Sequence, residues 1–173
     1  AKLDGGTLFT QFSHFIDIMY WLFGDITNIN GSFADFNHQH LTDFEDSGIV
    51  TFNFVEGRGM GCLNYSTAVW DTNFESAITI IGSKGTVKVA GQYMNEVVYC
   101  HISDYEMPEL AASNPPNDYG RYKGSAQNHH YVIENVVEKL MGDGDIKTNL
   151  LEGLKVVDII ERIYAVRDAK WKK

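Results

Sequence analysis

Histidine is the side chain here best suited to proton transfer near neutral pH, and His14 stands in the most suggestive setting. It lies in residues 4–24, a nearly apolar stretch with Asp4 as the expected N-cap and Gly24 as the expected stop. At a helical advance of ~100° per residue, Thr7, Thr10, Gln11 and His14 fall in one narrow sector, with Asp17 at its edge. A polar stripe on an oily helix needs partners or water, so it points to a cleft. Two readings of His14 stand side by side: a general acid/base, or a core imidazole bonded to a backbone carbonyl. Thr10 and Gln11 are expected to bond substrate hydroxyls or local helix groups. Asp17 could orient His14 across one turn, or bond nearby backbone.

The other chemically capable groups carry weaker patterns. Tyr119, Arg121 and Lys123 sit in a Pro-rich stretch, residues 103–124, and are the best local donors for a carboxylate or diphosphate. His38 with His40, and His129 with His130, lack a convincing third ligand, so no metal site is expected. Cys62 and Cys100 have no metal-ligand spacing and read as buried reduced thiols. The glycines of Gly57-x-Gly59-x-Gly61 are followed by Cys62-Leu63-Asn64-Tyr65, a strand pattern. They therefore cannot set a helix N-terminus beneath a pyrophosphate, and no cofactor-binding residue is expected in this chain.

These residues must be positioned by the elements around them. Strand-like runs cover residues 26–37, 48–55, 61–68, 74–81, 86–90 and 95–102. Glu56-Gly57-Arg58-Gly59 and Gly82-Ser83-Lys84-Gly85 have hairpin-turn chemistry. Residues 103–124 read as a long loop, a lid or connector. A helix is expected over 125–141, with Val132, Ile133, Val136, Val137 and Leu140 on one face. A last helix is expected over 148–167, opened by Thr148, with Leu154, Val157, Ile160, Ile163 and Tyr164 as its stripe and Lys170 to Lys173 at its end. The order predicts an α+β fold: an open, mostly antiparallel sheet of about six strands with helices packed on one face.

Composition narrows the function. With 173 residues and 44% hydrophobic content, the chain can bury one substantial core. A net charge of -9 argues against nucleic-acid binding, which needs a basic face. No apolar run approaches the ~20 residues of a membrane span, and no signal peptide is visible, so a cytoplasmic location is expected. The chain opens on Ala1 and runs at once into the apolar helix, which reads as an excised domain.

Taken together, Gly5-Gly6, His14, Ile16-Asp17, Trp21-Leu22 with Gly24, Phe44-Glu45-Asp46-Ser47 before a strand, and Ile81-Gly82-Ser83-Lys84-Gly85-Thr86 at a hairpin resemble the C-terminal domain of the Gfo/Idh/MocA oxidoreductases. The likeness covers nearly the whole chain. LFTQFSHFIDIMYWLFGDI is similar to bacterial dehydrogenases that oxidise C3 of a UDP-N-acetylglucosamine-derived uronic acid in O-antigen sugar synthesis. The resemblance implies that residues 1–173 are a substrate-binding and dimerisation domain whose N-terminal Rossmann domain, with the NAD or NADP site and a catalytic Lys, is absent. It implies His14 as acid/base, with Thr10, Gln11, Tyr119 and Arg121 toward a sugar or nucleotide-sugar substrate. It also implies a homo-oligomer through the open sheet face, for which Phe33, Phe52, Phe54 and Tyr65 are the expected side chains. The sequence departs from the family twice: many members carry an acid where Thr10 stands and Gly where Phe12 stands. The isolated chain is expected to be inactive. Two other classes remain: a non-catalytic dimerisation or binding module, and an unrelated α+β pocket protein using His14 without a cofactor.

Overall fold

The structure is a computed structural model, and it describes residues 4–39, 41–57, 59–121 and 123–170. The chain divides into two compact units. One comprises Ala1–Val69 with Lys147–Lys173, the other Trp70–Ile146.

The first unit opens on Gly5 and Gly6, whose φ angles of 80° and 103° are left-handed. Two such residues cannot join a right-handed helix, so Asp4 is not its cap. The helix starts after them as a π-turn, Leu8–Phe12, and continues as α1, Ser13–Phe23. Gly24 ends it as expected: at φ 76° its N–H donates to the Tyr20 carbonyl at 2.8 Å.

Strands β1 (Ile26–Ala34), β2 (Ser47–Phe54) and β3 (Met60–Ser66) form an antiparallel meander with β2 central. The register pairs Gly31 with Val50 and Val50 with Leu63. Alternation turns Val50, Phe52 and Tyr65 inward, with Phe33, Phe54 and Leu63 packed around them. The four aromatics expected on the open face thus belong to the core. The outward side carries Ser32, Ile49, Thr51, Met60, Cys62 and Asn64 instead. The outward side is marked only by uncharged polar residues such as Asn30, Ser32, Thr51 and Asn64, because β1 to β3 contain no charged residue.

Helix α3, Leu150–Lys170, packs against α1 and β1 through Val156, Ile159, Ile160, Ile163 and Tyr164. These follow the 3.6-residue period. Leu154 and Val157, expected in the stripe, are exposed. Leu150, Leu151, Leu154 and Val157 form a second apolar row, and periodicity alone does not choose between two rows. Burying Ile159, Ile160 and Ile163 stabilises the unit by roughly 1.5–3 kcal/mol each.

Asn149, not Thr148, opens α3. Its Oδ1 accepts the N–H groups of Leu151 and Glu152 at 2.9 and 3.1 Å, and the Glu152 carboxylate accepts the Asn149 N–H at 2.9 Å. This reciprocal cap should be worth ~1 kcal/mol. Asn149→Ala is therefore expected to lower the unfolding free energy by that amount, read as a lower urea midpoint with an unchanged slope.

The second unit has its own meander, β4 (Ile78–Gly82), β5 (Gly85–Ala90) and β6 (Glu96–Ile102). Gly82 pairs with Gly85 across the expected two-residue turn. The six expected strands are thus bonded as two three-stranded sheets. The expected loop at 103–124 is partly a hairpin, β7 (Pro116–Asp118) with β8 (Lys123–Ala126). Because β8 takes residues 123–126, helix α2 begins only at His129 and runs to Met141. None of its residues is buried, including the Val132, Ile133, Val136, Val137 and Leu140 face. Among the described residues no helix is long and apolar enough to cross a membrane.

Candidate functional site

The π-turn and α1 present three of the four residues of the predicted polar stripe: Thr10, Gln11 and His14 are exposed on a mostly apolar helix, while Thr7 turns inward to the Glu45 carbonyl. Wide π-turns recur at functional positions, where the extra residue re-aims side chains. The Thr10 hydroxyl donates to the Gly6 carbonyl at 3.1 Å, which leaves its oxygen free to accept. Among the described residues no hydrogen bond joins Asp17 to His14. The His14 ring lies 4.4 Å from the Phe15 ring, centroid to centroid. The ring is open to solvent yet bordered by apolar groups, and that partial burial holds its pKa below the ordinary imidazole value. It is a neutral base at pH 7.

Beneath this stripe lies a polar network that sequence reasoning did not find. Glu45 is buried. Its carboxylate accepts from the Tyr65 hydroxyl at 2.8 Å and from Arg167 Nη1 at 2.8 Å. The Arg167 guanidinium also lies 3.9 Å from the Tyr164 ring centroid. The Tyr164 hydroxyl accepts the Leu8 N–H at 2.8 Å, and the Thr7 hydroxyl donates to the Glu45 carbonyl. Burial, then the Glu45 charge, pushes the hydroxyls of Tyr65 and Tyr164 far up, so both stay protonated donors. The motif Phe44-Glu45-Asp46-Ser47 was visible, but Arg167 lies 122 positions away and had no local signal.

Asp46, also buried, organises the loop before β2. Its Oδ2 accepts from the N–H groups of Phe36 and Asn37 at 3.0 and 2.7 Å and meets His38 Nδ1 at 3.1 Å. Asp35, His38 and Asp46 place ligand-type atoms within 4.8 Å of one another, but these bonds already account for the grouping. His40 lies outside the described residues. Burial alone would raise the Asp46 pKa; the hydrogen bonds from Asn37, Ser47, His38 and Phe36 outweigh it and lower it. The stabilisation from this depressed pKa is present above the unfolded value of ~3.9 and is lost as pH falls through the lower folded value. Asp46→Asn should flatten that acid limb in a stability-versus-pH series.

Tyr119 and Arg121 lie in the other unit, at the tip of the β7–β8 hairpin, both exposed. Lys123 opens β8. His129 and His130 begin α2 and are exposed, with the His130 ring 3.9 Å from that of Tyr131. Gly57, at φ 101°, belongs to the β2–β3 turn, and Arg58 lies outside the described residues. Cys62 and Cys100 are unbonded, and Cys62 is exposed rather than buried because β3 alternation turns it outward.

A sequence model of the GFO/IDH/MocA C-terminal domain matches residues 1–88, half of the chain. The chain belongs to the Gfo/Idh/MocA C-terminal domain family. Within the matched residues Gly6 lies against Tyr164 and Phe44, Thr7 bonds the Glu45 carbonyl, and His14 stands on the helix that follows. Solved structures agree. The WlbA dehydrogenase of Bordetella pertussis, in complex with NADH and UDP-GlcNAcA, is 27% identical with a TM-score of 0.75, over 96% of this chain and 44% of that one. The WlbA dehydrogenase of Chromobacterium violaceum, also with NADH and UDP-GlcNAcA, is 26% identical with a TM-score of 0.73, over 95% and 45%. An Agrobacterium radiobacter oxidoreductase, 17% identical with a TM-score of 0.65 over 96% and 49%, shares the fold. This Gfo/Idh/MocA domain therefore spans less than half the length of the WlbA chains. No curated protein matches it.

Proposed function

We propose that this domain is the substrate side of a nicotinamide-dependent dehydrogenase that oxidises a hydroxyl of a nucleotide sugar, with His14 as acid/base. One observation carries the reading: an exposed imidazole, its pKa lowered by partial burial, stands with Thr10 and Gln11 on a mostly apolar helix. Likeness to two dehydrogenases solved with NADH and UDP-GlcNAcA supports the substrate class.

When an alcohol is oxidised, carbon loses hydride and oxygen loses a proton. Neutral His14 accepts the proton, while Thr10 and Gln11 bond neighbouring hydroxyls and hold the reacting carbon in place. Thr10, where many members carry an acid, removes a negative charge from the stripe and suits an anionic sugar. Among the described residues none fits a dinucleotide: Gly57 lies in a hairpin turn, not at a helix start. The NAD or NADP site belongs to a dinucleotide-binding domain outside this sequence, and the chain alone is inactive. Arg121, exposed on its hairpin, is assigned to the diphosphate or carboxylate. The charge-free outer face of β1 to β3, with Ile49 and Met60 exposed, is assigned to a second copy of the chain.

The test joins this domain to its dinucleotide-binding domain and titrates UDP-GlcNAcA by calorimetry. Arg121→Ala is expected to weaken binding at least ~10-fold, the loss of one charge-assisted contact. Unchanged affinity would remove Arg121 from the site, and the absence of any nucleotide-sugar binding would remove the substrate class.

A further inference from the structure

The π-turn carries Thr10 and Gln11 and leads directly into His14, so whatever sets its position sets the stripe. Nothing on the exposed side of the turn does so. Three constraints come from beneath, made by two distant parts of the chain. The Leu8 N–H donates to the Tyr164 hydroxyl at 2.8 Å, a fully buried bond across 156 positions. The Thr7 hydroxyl donates to the Glu45 carbonyl. Gly6, at φ 103°, brings the backbone so close that a Cβ there would lie 2.4 Å from the Tyr164 oxygen and 2.9 Å from Phe44. The Tyr164 ring, in turn, lies 3.9 Å from the Arg167 guanidinium, which is paired with the Glu45 carboxylate that Tyr65 also holds.

The start of a helix leaves backbone N–H groups without intrahelical partners. A side-chain oxygen of the helix's own capping residue normally takes one of them. Here no such cap exists. A tyrosine from α3 does the work, and because its ring is pinned it fixes direction as well as satisfying the donor. A bond of this kind determines where the turn can lie, which a cap from an adjacent residue cannot do.

We propose that Tyr164, held by the Glu45–Arg167 pair, is a positioning residue that locks the π-turn in register so that Thr10, Gln11 and His14 face the substrate together. The inference rests on the functional reading above, but its structural half stands apart from it. Tyr164 touches no reacting atom. It acts through Leu8.

The experiment uses the two-domain enzyme and the variants Tyr164→Phe, Thr7→Val and Thr7→Ser. Tyr164→Phe keeps the ring and removes only the acceptor; Thr7→Val removes the donor at constant shape, and Thr7→Ser restores it. The expected result is amide exchange at Leu8 to Phe12 accelerated at least ~10-fold in Tyr164→Phe and Thr7→Val, with β2 protection unchanged and near-normal exchange in Thr7→Ser. KM for the sugar should rise ~10-fold while kcat changes less than ~3-fold. Unchanged exchange at the π-turn would overturn the inference, whatever happens to turnover. Faster exchange with an unaltered KM would overturn it as well, since the network would then be structural only. Full turnover in a His14→Asn enzyme would instead sink the functional reading, and would leave the exchange result standing.

Discussion

On the proposed role of His14 as acid/base, substituting it by Asn in an enzyme that joins this domain to a dinucleotide-binding domain is expected to cut turnover at least ~100-fold, the usual contribution of a positioned acid/base. Asn keeps a polar group of similar reach, so substrate affinity should change far less than the rate. The pH profile gives a second check. Partial burial lowers the His14 pKa below its ordinary value, so the ring is deprotonated at neutral pH. For the oxidation, kcat/KM should therefore rise with pH through a value below ~6.5 and then level. His14→Asn should abolish that limb. Near-normal turnover with the limb intact would show that another group takes the proton.

Arg167→Ala should have the largest effect on stability. The Glu45 side chain is 0% exposed and that of Arg167 12%, so water screens their 2.8 Å contact little. Removing Arg167 leaves the Glu45 carboxylate buried with the Tyr65 hydroxyl as donor but no counter-charge. Breaking such a pair costs about 3–5 kcal/mol. At this chain length that corresponds to a fall in Tm on the order of 10 °C. Unfolding by denaturant would measure it, and adding Glu45→Gln should recover part of the loss, because the orphaned charge is then gone. A cost below ~1 kcal/mol would mean that water reaches the pair and solvates it.

The exposed polar stripe was legible in advance because its signals are local. His14, Thr10 and Gln11 share one sector by angular spacing alone, and the structure exposes all three. The stop at Gly24 and the Gly82–Gly85 turn follow from backbone freedom that few other residues have. Asp4 failed as a cap for the same reason read too narrowly: the glycines that follow it also interrupt the helix. The small β7–β8 hairpin was missed because its strands are too short to show alternation.

By itself the sequence determined the α+β order of elements, the family and the identity of the polar stripe. Each of these depends on residues close together in the chain. Only the tertiary structure decided which side of β1 to β3 is inward, which of two apolar rows of α3 is buried, and that Glu45 meets Arg167 and Tyr65. A period of two or 3.6 residues defines faces without labelling them, and here no charge in the strands supplies the label. Partners more than a hundred positions apart are chosen by packing, where one buried carboxylate must find its donors or the fold loses several kcal/mol.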